Sequence, residues 1–237
     1  MLKRRILALT LAIAASGPAL AYETQAAFDL NILGLRAGTF VYSAVERDGQ
    51  YAVNGRMESA GIIGAMRKIR YDAAVRGIVS NNRFVPVSYE GSSDTGRRQS
   101  ASAMEFRNGV PQVMSYSPPR EPDARDVDPS TQAGTVDPLT ALFAALRDIP
   151  EAQACTHRIA IFDGRRRSEV AIGNRREADG RVTCTGEYRR VAGYSEREMS
   201  ERQTFPFRIT YSLSDDIARV QEVTMDSVYG RAVLRRR

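Results

Sequence analysis

Cys155 and His157 are the pair whose types and spacing could make a nucleophile. In an extended strand, residues i and i+2 point to the same face, so the imidazole could take the thiol proton. That chemistry needs a free thiol. Cys184 is the only other cysteine, and the pair lies far from the C-x-x-C spacing of redox and metal sites. A Cys155–Cys184 disulfide is therefore expected, closing a loop of about 30 residues and stabilising the fold by roughly 3–4 kcal/mol. His157, the only histidine, then becomes a partly exposed residue at a strand start. One histidine and two cysteines are too few for a metal cluster, so no metal and no cofactor is expected. The sequence has no G-x-S-x-G elbow, phosphate loop, G-x-G-x-x-G before a helix, or H-E-x-x-H. No acidic pair stands out as general acid and base. A non-enzymatic role is the expectation, with a hydrolase built on a dispersed site as the enzymatic alternative.

Binding chemistry has more to work with. Ala60 to Met66 is apolar and glycine-containing, and Arg67, Lys68 and Arg70 follow directly. An apolar tip on Ile62, Ile63 and Met66 with a collar on Arg67, Lys68 and Arg70 can enter a membrane interface or hold an acyl chain and its head group. The competing reading is a buried bend between strands, with the glycines serving the bend. Arginines cluster at Arg165–Arg167, Arg175–Arg176, Arg189–Arg190 and Arg235–Arg237. Consecutive residues of a strand face opposite sides, so such pairs do not by themselves make one patch. Solvated sheet surface is the plainer reading, and an anionic envelope partner the functional one.

These side chains must be positioned by a sheet. Phe205, Phe207, Ile209, Tyr211 and Leu213 alternate with Thr204, Pro206, Arg208, Thr210 and Ser212, the period of a half-buried strand. Tyr71, Ala73, Val75 and Val79 follow the same pattern, as do Val85, Val87 and Tyr89, and Val182, Cys184 and Tyr188. Gly38–Glu46 and Ile159–Phe162 are also strand-like. Asp48-Gly49, Asn108-Gly109, Asp163-Gly164 and Asp179-Gly180 suit tight hairpin turns, because those residues tolerate positive φ. Asn81-Asn82, Gly173-Asn174 and Asp215-Asp216 are weaker turn signals. The expected fold is mainly β: a curved antiparallel meander closing toward an open barrel, in one domain over residues 22–237. One short amphipathic helix spans 137–147, capped by Asp137-Pro138, with Leu139, Leu142, Phe143 and Leu146 as its apolar stripe. It should plug an end or the concave face. Residues 117–136, rich in proline and acids without periodicity, are expected as an exposed, mobile loop.

Residues 1–21 have the parts of a secretory signal peptide: basic Lys3, Arg4 and Arg5, an apolar run from Ile6 to Ala15, and cleavage after Ala19-Leu20-Ala21. Removing those three cations from 34 leaves 31 against 28 acids, a balance of +3, which is poor material for nucleic-acid binding. No nucleic-acid partner is expected, and no second apolar stretch reaches spanning length. The expected location is the periplasm, where the cysteine pair would oxidise.

Phe28-Asp29-Leu30-Asn31 through Gly38-Thr39-Phe40, Arg83 to Tyr89, Asp137 to Leu142, Ile161 to Arg166 and Cys184 to Tyr188 occur in an informative order. Together they resemble a family of exported bacterial proteins catalogued as a domain of unknown function. The resemblance spans most of the chain after Ala21. It implies a bacterial envelope protein and no particular activity. The curved sheet, the aromatic alternation at Phe205, Phe207 and Tyr211 and the Ile62-Ile63 tip make the expected function a non-enzymatic periplasmic protein holding a lipid or other apolar ligand in a concave sheet. The alternative is an envelope scaffold acting through protein partners.

Overall fold

Short hairpin turns force neighbouring strands to pair, and this governs most of the chain. The computed structural model describes residues 22–81 and 83–237; the signal peptide assigned to 1–21 and the side chains of Ile62 and Ile63 lie outside the described residues. The first meander comprises β1 (Tyr22–Ile32), β2 (Leu35–Arg47), β3 (Gln50–Ser59), β4 (Arg70–Ser80), β5 (Arg83–Asp94), β6 (Gln99–Arg107) and β7 (Val110–Ser117), with α1 (Gly61–Met66) between β3 and β4. The helix α2 (Pro138–Leu146) follows. The second half has β8 (Ile149–Pro150), β9 (Arg158–Phe162), β10 (Arg167–Ala178), β11 (Arg181–Ala192), α3 (Glu196–Glu201), β12 (Thr204–Ser214), β13 (Ile217–Ser227) and β14 (Gly230–Arg236).

The two halves join where β1 pairs antiparallel with β14, making one continuous sheet in the order β7 to β1, then β14 down to β9; β8 adds a short pairing to β13. A sheet this wide must curl. Its edge strands, β7 and β9, come close enough to be stitched together. Val136 forms a parallel bridge to Ile161, Gly134 N–H donates to the Gly109 carbonyl at 3.0 Å, and Tyr116 Oη donates to the Gly164 carbonyl at 2.7 Å. The fold is thus the expected mainly antiparallel, nearly closed barrel. The segment 117–136 is exposed along most of its length, but its last residues have a structural role that the sequence did not predict. It runs along the seam, with Gln132 and Thr135 buried, because two unpaired strand edges need partners there.

Three local expectations change. Gly173-Asn174 is a bulge inside β10, where Asn174 takes a φ of 50° and donates from Nδ2 to Thr185 Oγ1. Val87 is exposed and Pro86 buried, because a register shift opposite Arg76/Gly77 reverses the alternation; proline has no N–H for the ladder. The α-helices also number three among the described residues. The capping box of Ser195 and Glu198 starts α3 and is an S-x-x-E signal that sequence reasoning passed over.

The helix α2 starts and stops as expected, with Asp137 Oδ1 accepting from Thr140 N–H at 2.9 Å and Arg147 at the C-cap. It lies inside the barrel. Phe143 meets Tyr42 edge-on at 5.5 Å and Phe84 at 5.3 Å, and Leu146 and Ile149 extend the same core. Asp137 is wholly buried, and Thr140 Oγ1 links its second oxygen to Tyr51 Oη. Burial pushes its carboxyl up to about 6 from an ordinary 3.8. Folding therefore favours the protonated form. That contribution is complete below pH 3.8 and is lost as pH rises through about 6. Relative to Asp137→Asn, which keeps the cap and the link to Thr140, the wild type should lose up to about 3 kcal/mol across this window. Urea unfolding of both proteins across the window checks this, and parallel pH profiles would contradict it.

Candidate functional site

Strand register sets the size of the barrel interior. One inward row crosses the first meander as Tyr42, Gly55, Ala73, Gly91, Ser102 and Tyr116, each opposite the next. The adjacent row toward the closed end is larger: Ala44, Val53, Val75, Tyr89 and Met104. Where the large row and α2 meet, the core is filled. Where the small row faces inward, space is left. The result is a cavity of about 580 Å³, within the range of sites for small organic ligands.

Its wall is largely apolar. Phe40, Met57, Tyr71 and Tyr89 contribute from the strands, and Leu139 and Leu142 from α2. Gly55 has a packing role here: a Cβ would stand 2.5 Å from Leu139 Cδ1, so glycine lets the helix approach the wall. The rim is cationic. Arg98, Arg120, Arg165 and Arg166 line it beside Asp163. Arg120 and Arg165 share the two oxygens of Asp126 at 2.6 and 3.0 Å, and Arg166 reaches Glu198 at 3.5 Å. Arg98 makes no ion pair among the described residues. The rim thus has one more guanidinium than the three carboxylates Asp126, Asp163 and Glu198. The Asp163 side chain is occupied, accepting from the backbone N–H groups of Arg165 and Arg166.

The sequence-predicted residues divide into two places. Cys155 and Cys184 form a disulfide with Cα atoms 5.4 Å apart, so the Cys155–His157 nucleophile has no thiol. His157 is largely buried with Nδ1 unpartnered, and burial together with Arg147 lowers its pKa. Met66, Arg67, Lys68 and Arg70 lie at the open end of the barrel, as does the backbone of Ile62 and Ile63. Met66 is exposed and Arg67 Nε donates to the Thr95 carbonyl at 2.7 Å, but Arg70 is held by Asp72 and Glu58. Away from the rim, the arginine clusters are tied to acids: Arg175 to Glu151 and Glu177, Arg189 to Glu169, Arg235 to Glu222 and Arg237 to Asp29 on the surface, and Arg236 to Asp148 in a largely buried pair. Sequence reasoning missed the cavity row and Arg98 and Arg120. Glycines interrupting two strands at Gly55 and Gly91 were the available signal, since glycine inside a strand marks a close approach or a missing side chain.

Fold and site together define a class: a nearly closed, barrel-like antiparallel sheet with one end plugged by a helix and the other open on a cavity. Residues 22–216 match the model of the family described as Protein of unknown function (DUF3108), and the chain belongs to that family. It is similar in fold to the crystal structure of a beta-barrel-like protein of domain of unknown function DUF1849 from Brucella abortus. That likeness has a TM-score of 0.51 at 12% identity, over 93% of this chain and 98% of that one. No curated protein matches the chain.

Proposed function

We propose that this is an exported, non-enzymatic envelope protein that holds an amphipathic molecule, apolar body inward and anionic head at the rim. The observation that carries the reading is the cavity of about 580 Å³, with its aromatic and aliphatic wall and arginine rim. Apolar groups in such a wall gain from leaving water, and a guanidinium offers paired donors to a carboxylate or phosphate head. Export and a periplasmic location are supported by the Cys155–Cys184 disulfide, a bond that persists in oxidising compartments. No helix among the described residues is long and apolar enough to cross a membrane. The scaffold reading requires open strand edges, and the segment 117–136 occupies part of those of β7 and β9.

Ala73 stands in the middle of the small row, so Ala73→Trp should fill the space while leaving the strand paired. A fluorescent fatty acid is expected to bind the wild type and to lose at least about tenfold in affinity, some 1.4 kcal/mol, to Ala73→Trp. Its neutral methyl ester should bind more weakly than the acid. Equal binding to both proteins, with the variant still folded by circular dichroism, would refute the cavity as the site.

A further inference from the structure

Around β1, the two ends of the barrel differ in the chemistry of their turns. At the closed end the hairpins turn on Asp48-Gly49, Asn108-Gly109, Asp179-Gly180 and Asp215-Asp216, polar residues suited to positive φ. At the open end the β1–β2 hairpin turns on Leu33-Gly34, and Leu33 holds a φ of 52°. Leucine is an uncommon choice for the left-handed region, and its side chain is 70% exposed. The neighbouring β13–β14 hairpin presents Val228 and Tyr229, the latter 76% exposed. On the other side of β1–β2 comes α1, where Met66 is 83% exposed, and Leu35 is exposed between them. Leu33 N–H donates to the Arg231 carbonyl, and a Cβ on Gly61 would touch the Arg36 carbonyl, so these tips are neighbours.

Next to the apolar tips stands a basic cluster. The segment after α1 packs on the β5–β6 turn: Arg67 Nε bonds the Thr95 carbonyl, and a Cβ on Gly96 would lie 3.2 Å from the Lys68 carbonyl. This brings Arg67, Lys68, Arg97 and Arg98 together, and none of the four forms an ion pair among the described residues. Elsewhere each arginine cluster has at least one member paired with an acid, although Arg176 and Arg190 make no ion pair among the described residues.

We propose that this open end docks on an anionic phospholipid surface, with Leu33, Leu35, Met66, Val228 and Tyr229 entering the interface and the four cations lying on the head groups. Exposed apolar side chains beside unpaired cations are the composition that such an interface selects, and tyrosine suits the boundary between head group and chain. The proposal does not rest on the cavity reading. Four cations at the surface should together favour binding by on the order of a hundredfold or more at low salt.

The test is flotation of the mature protein with vesicles of phosphatidylcholine alone and of phosphatidylcholine with 30% phosphatidylglycerol (roughly the anionic content that makes a surface potential). Binding to the anionic vesicles alone, weakened by high salt and by Arg67→Glu/Lys68→Glu/Arg97→Glu/Arg98→Glu, is expected. Met66→Asp/Tyr229→Asp should weaken it at unchanged melting temperature, since both side chains are exposed. Equal binding to the two vesicle types, or no binding to either, would overturn the proposal. A protein dimer that the Met66→Asp/Tyr229→Asp change turns into monomer would also overturn it, assigning the tips to a second copy.

Discussion

Phe143→Ala is expected to destabilise the protein by about 3–5 kcal/mol, the range for removing a buried aromatic ring. Phe143 has no exposed surface and stands where α2 meets both the β2 and β5 walls, against Tyr42 and Phe84. The helix is tied in at its start by buried Asp137 and at its end by the Leu146 carbonyl, which accepts from Tyr42 Oη at 3.4 Å. The surrounding wall is sheet that cannot collapse onto the vacated space, so little of the loss is recovered. Leu142 offers a control one residue earlier. It is 39% exposed and faces the cavity, so Leu142→Ala should cost much less. Urea unfolding of both variants decides this. A loss under about 1 kcal/mol for Phe143→Ala would mean that the helix does not seal the closed end.

Removing the disulfide should have the next largest effect. Cys155 and Cys184 are 29 residues apart, so the cross-link shortens the unfolded chain's freedom by a loop worth about 3–4 kcal/mol in the chain-entropy account. Cys155 follows a short 3-10 turn and leads into β9, while Cys184 is fully buried in β11. The bond therefore fastens the stretch between helix and edge strand to the middle of the C-terminal meander. Cys155→Ala/Cys184→Ala removes it without leaving a lone thiol. Its unfolding midpoint should fall accordingly, and reduced wild type should fall with it. Identical midpoints for oxidised and double-variant protein would remove the disulfide from the account of stability.

Much of this fold was legible along the chain because its strands are local in sequence. Phe205, Ile209 and Tyr211 face inward as their alternation requires, and Asp137-Pro138 starts the helix it was expected to start. Two of the errors share one physical origin. A bulge adds one residue and reverses the alternation, and neither Pro86-Val87 nor Gly173-Asn174 announces whether it is a turn or a bulge. Both contain residues that either structure accepts. The site was less legible. Gly55, Ala73, Gly91 and Ser102 sit on four strands, and only cumulative register aligns them into one row. Arg98 and Arg120 likewise meet Arg165 and Arg166 only because the seam brings β7 to β9. The basic tip at Met66, Arg67 and Lys68 was visible as a local run, but its apolar neighbours Leu33 and Tyr229 come from distant hairpins.

The proposed function places an amphipathic molecule in the open end of this barrel. Native mass spectrometry of mature protein, purified gently from its own cell envelope and followed by organic extraction, tests it most directly. One bound molecule per chain is expected, with an apolar body and an anionic group, and none on Ala73→Trp prepared in the same way. A bare protein mass for the wild type, unchanged after incubation with extracted envelope lipid, would contradict it.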